Sequence, residues 1–140
     1  MDDPFVVDLL ELQPSQLYIS AEKLTRVLTV LDLSRPESLT PLPVKRLGGR
    51  LVLTDGHTRA FAAYRAGLDR VRVCWDADDL DWEAYEICVG WCVQEGIRTI
   101  ADLEGRVVDA TDYKRLWLER CAAMQRKLAE ARGLSEREGD

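Results

Sequence analysis

Asp55-Gly-His-Thr-Arg59 brings a carboxylate, an imidazole, a hydroxyl and a guanidinium together around one glycine. Leu51-Val-Leu-Thr54 before it has the composition of a strand, and His57 to Ala66 reads as a short helix. A strand that turns through glycine into a helix forms an anion site. The first N–H groups of the helix have no intrahelical acceptor, the helix dipole adds positive potential, and Gly56 lets a phosphate approach the backbone. Arg59, one turn in, can fork onto phosphate oxygens, and Thr58 offers a hydroxyl to the same group. His57 could stabilise phosphate charge or donate a proton, and Asp55 could hold magnesium through water or orient His57 or a substrate hydroxyl. Asp55 and His57 are therefore the catalytic candidates, and Gly56, His57, Thr58 and Arg59 the cofactor-binding ones. Each also has a plain structural reading: a helix cap for Asp55, a buried hydrogen-bonded ring for His57, a surface ion pair for Arg59.

The elements that must position this turn are legible around it. Pro41 to Leu47 and Arg50 to Thr54 flank Gly48-Gly49, a pair free to take the positive φ of a type I′ hairpin turn. Gly67 stands where a helix from His57 to Ala66 would end, and Val71 to Trp75 reads as the next strand. Upstream, Phe5 to Leu12 is strand-like and is broken by Gln13-Pro14-Ser15. Ser20 then suits an N-cap for a helix over 21–32 carrying Leu24, Val27, Leu28 and Leu31 at helical spacing. Downstream, helices are expected over 82–95, near 99–104 and, as a long amphipathic one, over 111–132, with 133–140 as a frayed tail.

From Leu42 to Val73, the order Leu-Pro-Val, hairpin, Leu-Thr-Asp-Gly-His-Thr-Arg-Ala, Tyr-Arg-Ala-Gly and Val-Arg-Val resembles the core of the ParB/sulfiredoxin superfamily. Glu11-Leu-Gln-Pro14 and the Ser20 to Leu31 helix sit where that superfamily has its leading strand and first helix. The resemblance implies an α+β fold, a small mixed sheet with helices, here followed by a helical C-terminal extension. ParB proteins carry Gly-Glu-Arg-Arg at the motif and bind CTP; sulfiredoxins carry Gly-Cys-His-Arg and use ATP; archaeal free-serine kinases carry Asp-Gly-His-His-Arg. Asp55-Gly-His-Thr-Arg59 is most similar to the last, with Thr58 in place of the second His. The resemblance implies that Gly56, His57, Thr58 and Arg59 contact nucleotide phosphates (ADP, ATP or CTP, with Mg2+) and that Asp55 serves the substrate or metal. The sulfiredoxin cysteine is absent. The glutamate that the serine kinases use soon after the leading proline is absent too, Pro14 being followed by Ser15 and Gln16.

With 140 residues, 46% hydrophobic and 31% charged, the chain is expected to fold as one domain. Residues 1–80 would be the phosphate-binding core, and 81–140 a helical extension packed on it. No apolar run approaches a membrane span and Met1-Asp-Asp-Pro4 is acidic, so a cytoplasmic protein with reduced Cys74, Cys88, Cys92 and Cys121 is expected. The cysteines and the single histidine form no metal-ligand pattern. The net charge of −6 argues against DNA as a partner, yet Lys45, Arg46, Arg50, Arg59, Arg65, Arg70 and Arg72 cluster ahead of an acidic run from Asp76 to Glu86. That cluster leaves open a ParB-type module switched by nucleotide and acting on DNA or a protein. Ile97 to Trp117 could be bent into a helix-turn-helix, but core packing is the simpler expectation there and for Trp75, Trp82, Trp91 and Trp117. In the last helix Tyr113, Leu116, Trp117, Cys121, Met124 and Leu128 form an apolar stripe, for packing on the domain or for pairing in a homodimer. A small hydroxyl-bearing substrate completes the expected set of partners.

Overall fold

β1 (Phe5–Asp8) opens the computed structural model, which describes residues 3–32 and 34–133. The strand is shorter than the apolar run suggests. Leu9 and Leu12 are both buried, and a 3-10 turn over Leu9–Glu11 puts them on one side, where an extended chain would have split them between two faces. The chain then passes alongside a later strand as Gln13, runs through buried Pro14 and Ser15, and forms β2 (Ile19–Ser20). Ser20 caps α1 (Ala21–Val30), its hydroxyl accepting the Lys23 N–H at 3.2 Å; the helix stops short of 32 because Leu31 is extended.

β3 (Leu42–Leu47) and β4 (Arg50–Leu53) form the expected hairpin, with Gly48 and Gly49 at φ of +55° and +77°. α2 (His57–Arg65) follows directly. It ends with Gly67 at φ +85°, where the Gly67 N–H meets the Tyr64 carbonyl and the Leu68 N–H the Ala63 carbonyl, a Schellman closure. β5 (Arg70–Trp75) returns between β1 and β3, antiparallel to the first and parallel to the second, giving a mixed four-stranded sheet in the order β1-β5-β3-β4. The free edge of β4 is covered by Gln13, whose backbone pairs with that of Leu51 and Leu53.

α3 (Trp82–Gln94) is capped by Asp81, and a 3-10 turn (Ile100–Leu103) stands where the short helix was expected. β6 (Val107–Val108) pairs in parallel with β2, a contact that sequence did not announce. It replaces the helix-turn-helix considered for this stretch. α4 (Ala110–Tyr113), a π-helical segment (Lys114–Leu118) and α5 (Glu119–Ala131) complete the described chain; the π turn widens the long helix between buried Tyr113 and Trp117. The tail expected over 133–140 falls outside the described residues from 134 onward.

The fold is thus α+β, with a small mixed sheet and a helical C-terminal segment. One core joins both halves: Leu42, Val44, Leu53 and Phe61 pack in the same cluster as Cys88, Cys92, Trp117 and Met124. Of the stripe from Tyr113 to Leu128, Tyr113, Trp117 and Met124 are buried in this cluster and Cys121 and Leu128 pack against it. Trp75 departs from expectation, being 39% exposed and resting on Phe5 at the sheet margin. All four cysteines are free thiols, and no described helix is long and apolar enough to cross a membrane.

Candidate functional site

Thr54, the residue after β4, is buried, its hydroxyl donating to Asp76 at 2.7 Å and its carbonyl accepting the Tyr85 hydroxyl at 2.9 Å. The turn that follows is therefore held from both sides. Burial, with Asp55 and Asp76 nearby, pushes the Tyr85 phenol above its ordinary value, so it stays a donor. Asp55 is exposed and folds back so that one carboxylate oxygen accepts the Gly56 N–H at 2.8 Å; it does not cap the helix.

Gly56 has φ +76°, and a Cβ there would lie 2.7 Å from the Arg59 guanidinium and 2.9 Å from a Leu42 methyl. The left-handed backbone favours glycine, and any Cβ would have to displace the Arg59 guanidinium and a Leu42 methyl. The Arg59 side chain is drawn across the turn by Thr40, to which Nη1 donates at both the hydroxyl and, at 3.4 Å, the carbonyl. It makes no ion pair among the described residues, so its remaining N–H groups are open to a ligand.

His57 is buried, and the alternative reading as a hydrogen-bonded ring describes part of its role. Nε2 lies 3.0 Å from the Ser15 N–H, while the Ser15 hydroxyl, 3.5 Å away, donates to the Leu53 carbonyl at 2.7 Å. Nε2 is thus an acceptor and the ring proton sits on Nδ1. Burial lowers the imidazole pKa to about 4, against a smaller opposing pull from Asp55, so the ring is neutral at pH 7. A neutral ring cannot supply positive charge to a phosphate, but Nδ1–H, which has no protein acceptor among the described residues, can donate a hydrogen bond. Ser15 and His57 do not form a nucleophile and base pair, because the serine proton is committed to a carbonyl.

The N–H groups of His57, Thr58 and Arg59 have no backbone acceptor, the first helical bond being from Ala60 to Gly56. They open into a cleft of about 360 Å³ lined by Asp55 to Arg59 and by Gln16, Lys23, Arg26 and Tyr113. Lys23 lies with its ammonium 5.3 Å from the Tyr113 ring centre, and Gln16 donates to the Tyr113 hydroxyl at 3.1 Å. Arg26 is exposed and only loosely paired with Glu22, at 3.7 Å. Three cationic side chains thus face one helix start. Lys23 and Arg26 were missed in the sequence reading; their separation of three puts them on one face of α1, but that this face meets α2 is a tertiary fact.

A second cleft, about 230 Å³, shares Gln16, Asp55 and His57 with the first and continues between α3 and α5 past Tyr85, Cys88, Trp117 and Cys121. A wider depression, about 690 Å³, lies elsewhere, between the hairpin tip and α3. The charged side chains that line it are Arg50 and Glu86, and no thiol, imidazole or hydroxyl is among its lining residues. Among the described residues no three carboxylate, imidazole or thiol groups come together as a metal site. Magnesium carried on phosphates would therefore meet one exposed protein carboxylate here, Asp55.

Most of the basic cluster is used within the chain. Lys45 lies over the Trp82 ring, Arg50 donates to Gln13, Arg65 and Arg70 pair with Glu104 and Asp8, and Arg72 donates to the Glu37 and Leu39 carbonyls.

No family model matches the chain, and no curated protein is similar to it. Among solved structures, protein Atu1540 from Agrobacterium tumefaciens aligns at 15% identity with a TM-score of 0.44, over 73% of this chain and 61% of that one, a likeness too slight to carry an argument.

Proposed function

We propose that the turn from Asp55 to Arg59 binds the phosphates of a nucleotide and that the protein is a small-molecule phosphotransferase of the kind its motif resembles, the free-serine kinases of the ParB/sulfiredoxin superfamily. The observation that carries the reading is the convergence of free N–H groups at the start of α2 with Lys23, Arg26 and Arg59 on one cleft. Phosphate oxygens would accept from Thr58 and Arg59 N–H and from the Arg59 guanidinium, with Lys23 and Arg26 offsetting charge.

In the transfer, an acceptor hydroxyl oxygen forms a bond to the terminal phosphorus, the bond from that phosphorus to its bridging oxygen breaks, and the hydroxyl proton passes to Asp55. His57 fixes the geometry by gripping the Ser15 backbone and offers Nδ1–H to the transferring group. Magnesium, when bound with the nucleotide, would be met by Asp55 through water and would neutralise phosphate charge. A cytoplasmic setting, with nucleotides and reduced thiols, accords with this reading.

Phosphorus NMR of the protein with ATP or ADP, magnesium and a panel of small alcohols tests it. A new phosphomonoester resonance that falls by about 10²-fold or more in Asp55→Asn is expected; nucleotide left unchanged across the panel overturns the catalytic reading.

A further inference from the structure

The second cleft adjoins the proposed phosphate cleft at Asp55, His57 and Gln16, so a molecule seated in it would present its atoms beside Asp55 and the transferring phosphate. Its volume of about 230 Å³ is below that of pockets for drug-sized ligands and suits a compound of a few heavy atoms. Its walls are mixed in polarity but not in charge. Cys88, Trp117, Met124 and the Tyr85 ring supply apolar surface, and Gln16, Gln125, Ser15 and Thr54 supply neutral polar groups.

Among the lining residues the only formal charge is the carboxylate of Asp55. His57 is neutral, and Tyr85 keeps its proton and spends it on the Thr54 carbonyl. Lys23, Arg26 and Arg59 line the adjoining cleft, where the phosphates take them up, and Arg120, on the far side near the Cys88 and Cys121 thiols, is tied to Glu95 at 3.3 Å. A second carboxylate, Asp76, stands behind Thr54. An anionic group brought into this cleft would meet a carboxylate and no cationic partner, which costs free energy that neutral donors offset only in part.

Resting on the phosphotransferase reading, we propose that this cleft is the acceptor site and that its acceptor is a small hydroxyl compound without an anionic group, an amino alcohol rather than an amino acid. The ammonium or hydroxyl of such a compound is held at the free oxygen of Asp55, its short carbon chain lies on Tyr85 and Trp117, and its charge complements the cleft. A free amino acid would place its own carboxylate among lining residues that include no arginine or lysine, the cations of the adjoining cleft being engaged by phosphate. This departs from what the motif's resemblance to free-serine kinases implies.

The test is titration of the full chain, followed by amide and indole NMR, with 2-aminoethanol, ethylene glycol and serine at constant ionic strength. The expected result is that 2-aminoethanol shifts the Trp117 indole and Ala84 amide signals at a concentration at least tenfold below that needed for serine. Asp55→Asn, at an exposed position whose bond to the Gly56 N–H asparagine can keep, should remove the advantage of the amine over the glycol. Serine binding as well as 2-aminoethanol, or no compound moving these signals, overturns the proposal. Magnesium ADP is titrated into the same sample with the Thr58 and Arg59 amides as reporters. Shifts there without any acceptor response sink the acceptor cleft alone, and an acceptor response without them supports the cleft's ligand class while removing the kinase reading.

Discussion

At the scale of single residues, His57 has its chemistry altered by its place in the fold. Its folded pKa is about 4 against an ordinary 6.5, so between these values the folded chain holds fewer protons than the unfolded one. Stability from the neutral ring is complete above pH 6.5 and is lost as pH falls toward 4, to the extent of about 3 kcal/mol. His57→Gln keeps an acceptor for the Ser15 N–H but cannot titrate. Urea unfolding at pH 7, 5.5 and 4 should show the wild type losing about 3 kcal/mol more than the variant across that range; parallel losses would contradict the burial argument. The grouping of Asp55, Gly56, His57, Thr58 and Arg59 was legible in sequence because the residues are contiguous and their turn chemistry is local. The neutral state of His57 was not, since it depends on burial by parts of the chain distant in sequence, nor was the use of Arg59 Nη1 by Thr40.

At the scale of elements, the turn between β4 and α2 rests on Gly56. Gly56→Ala would force a side chain into left-handed backbone at φ +76° and drive its Cβ to 2.7 Å from the Arg59 guanidinium. A loss of about 1–2 kcal/mol of stability is expected from the backbone alone, read by thermal or urea unfolding. Displacement of Arg59 should also weaken phosphate binding in the variant that still folds; unchanged stability and binding would contradict the assigned geometry. The hairpin, α1 and α2 were readable from Gly48-Gly49, Ser20 and Gly67, whose preferences act within a turn or two. The pairing of β2 with β6, the passage of Gln13 along β4 and the π-helical segment come from contacts distant in sequence, for which the chain carries no local mark.

At the scale of the molecule, the core runs without a break from the sheet and α2 into α3 and α5. Unfolding should therefore be one transition, coincident by far-ultraviolet circular dichroism and by tryptophan fluorescence. Trp117→Ala, truncating a buried side chain on the C-terminal segment, should move both signals together by about 3–5 kcal/mol. Two separate transitions would mean that residues 81–140 form an independent unit. The charge pattern also acts at this scale. With a net charge of −6 and with Lys45, Arg50, Arg65, Arg70 and Arg72 engaged within the chain, no DNA binding is expected even at low salt. A mobility-shift assay that detected affinity falling steeply with salt would favour a nucleotide-switched DNA module instead.

The central claim is that the start of α2 binds phosphate, and the most direct measurement is calorimetric titration of ADP, ATP and CTP with magnesium into the wild type and Arg59→Ala. Saturable binding by the wild type, weakened roughly 10- to 100-fold in the variant through loss of about 1.5–3 kcal/mol of charge-assisted hydrogen bonding, is the predicted result. No heat from any of the three nucleotides, or equal binding by the two proteins, would contradict it.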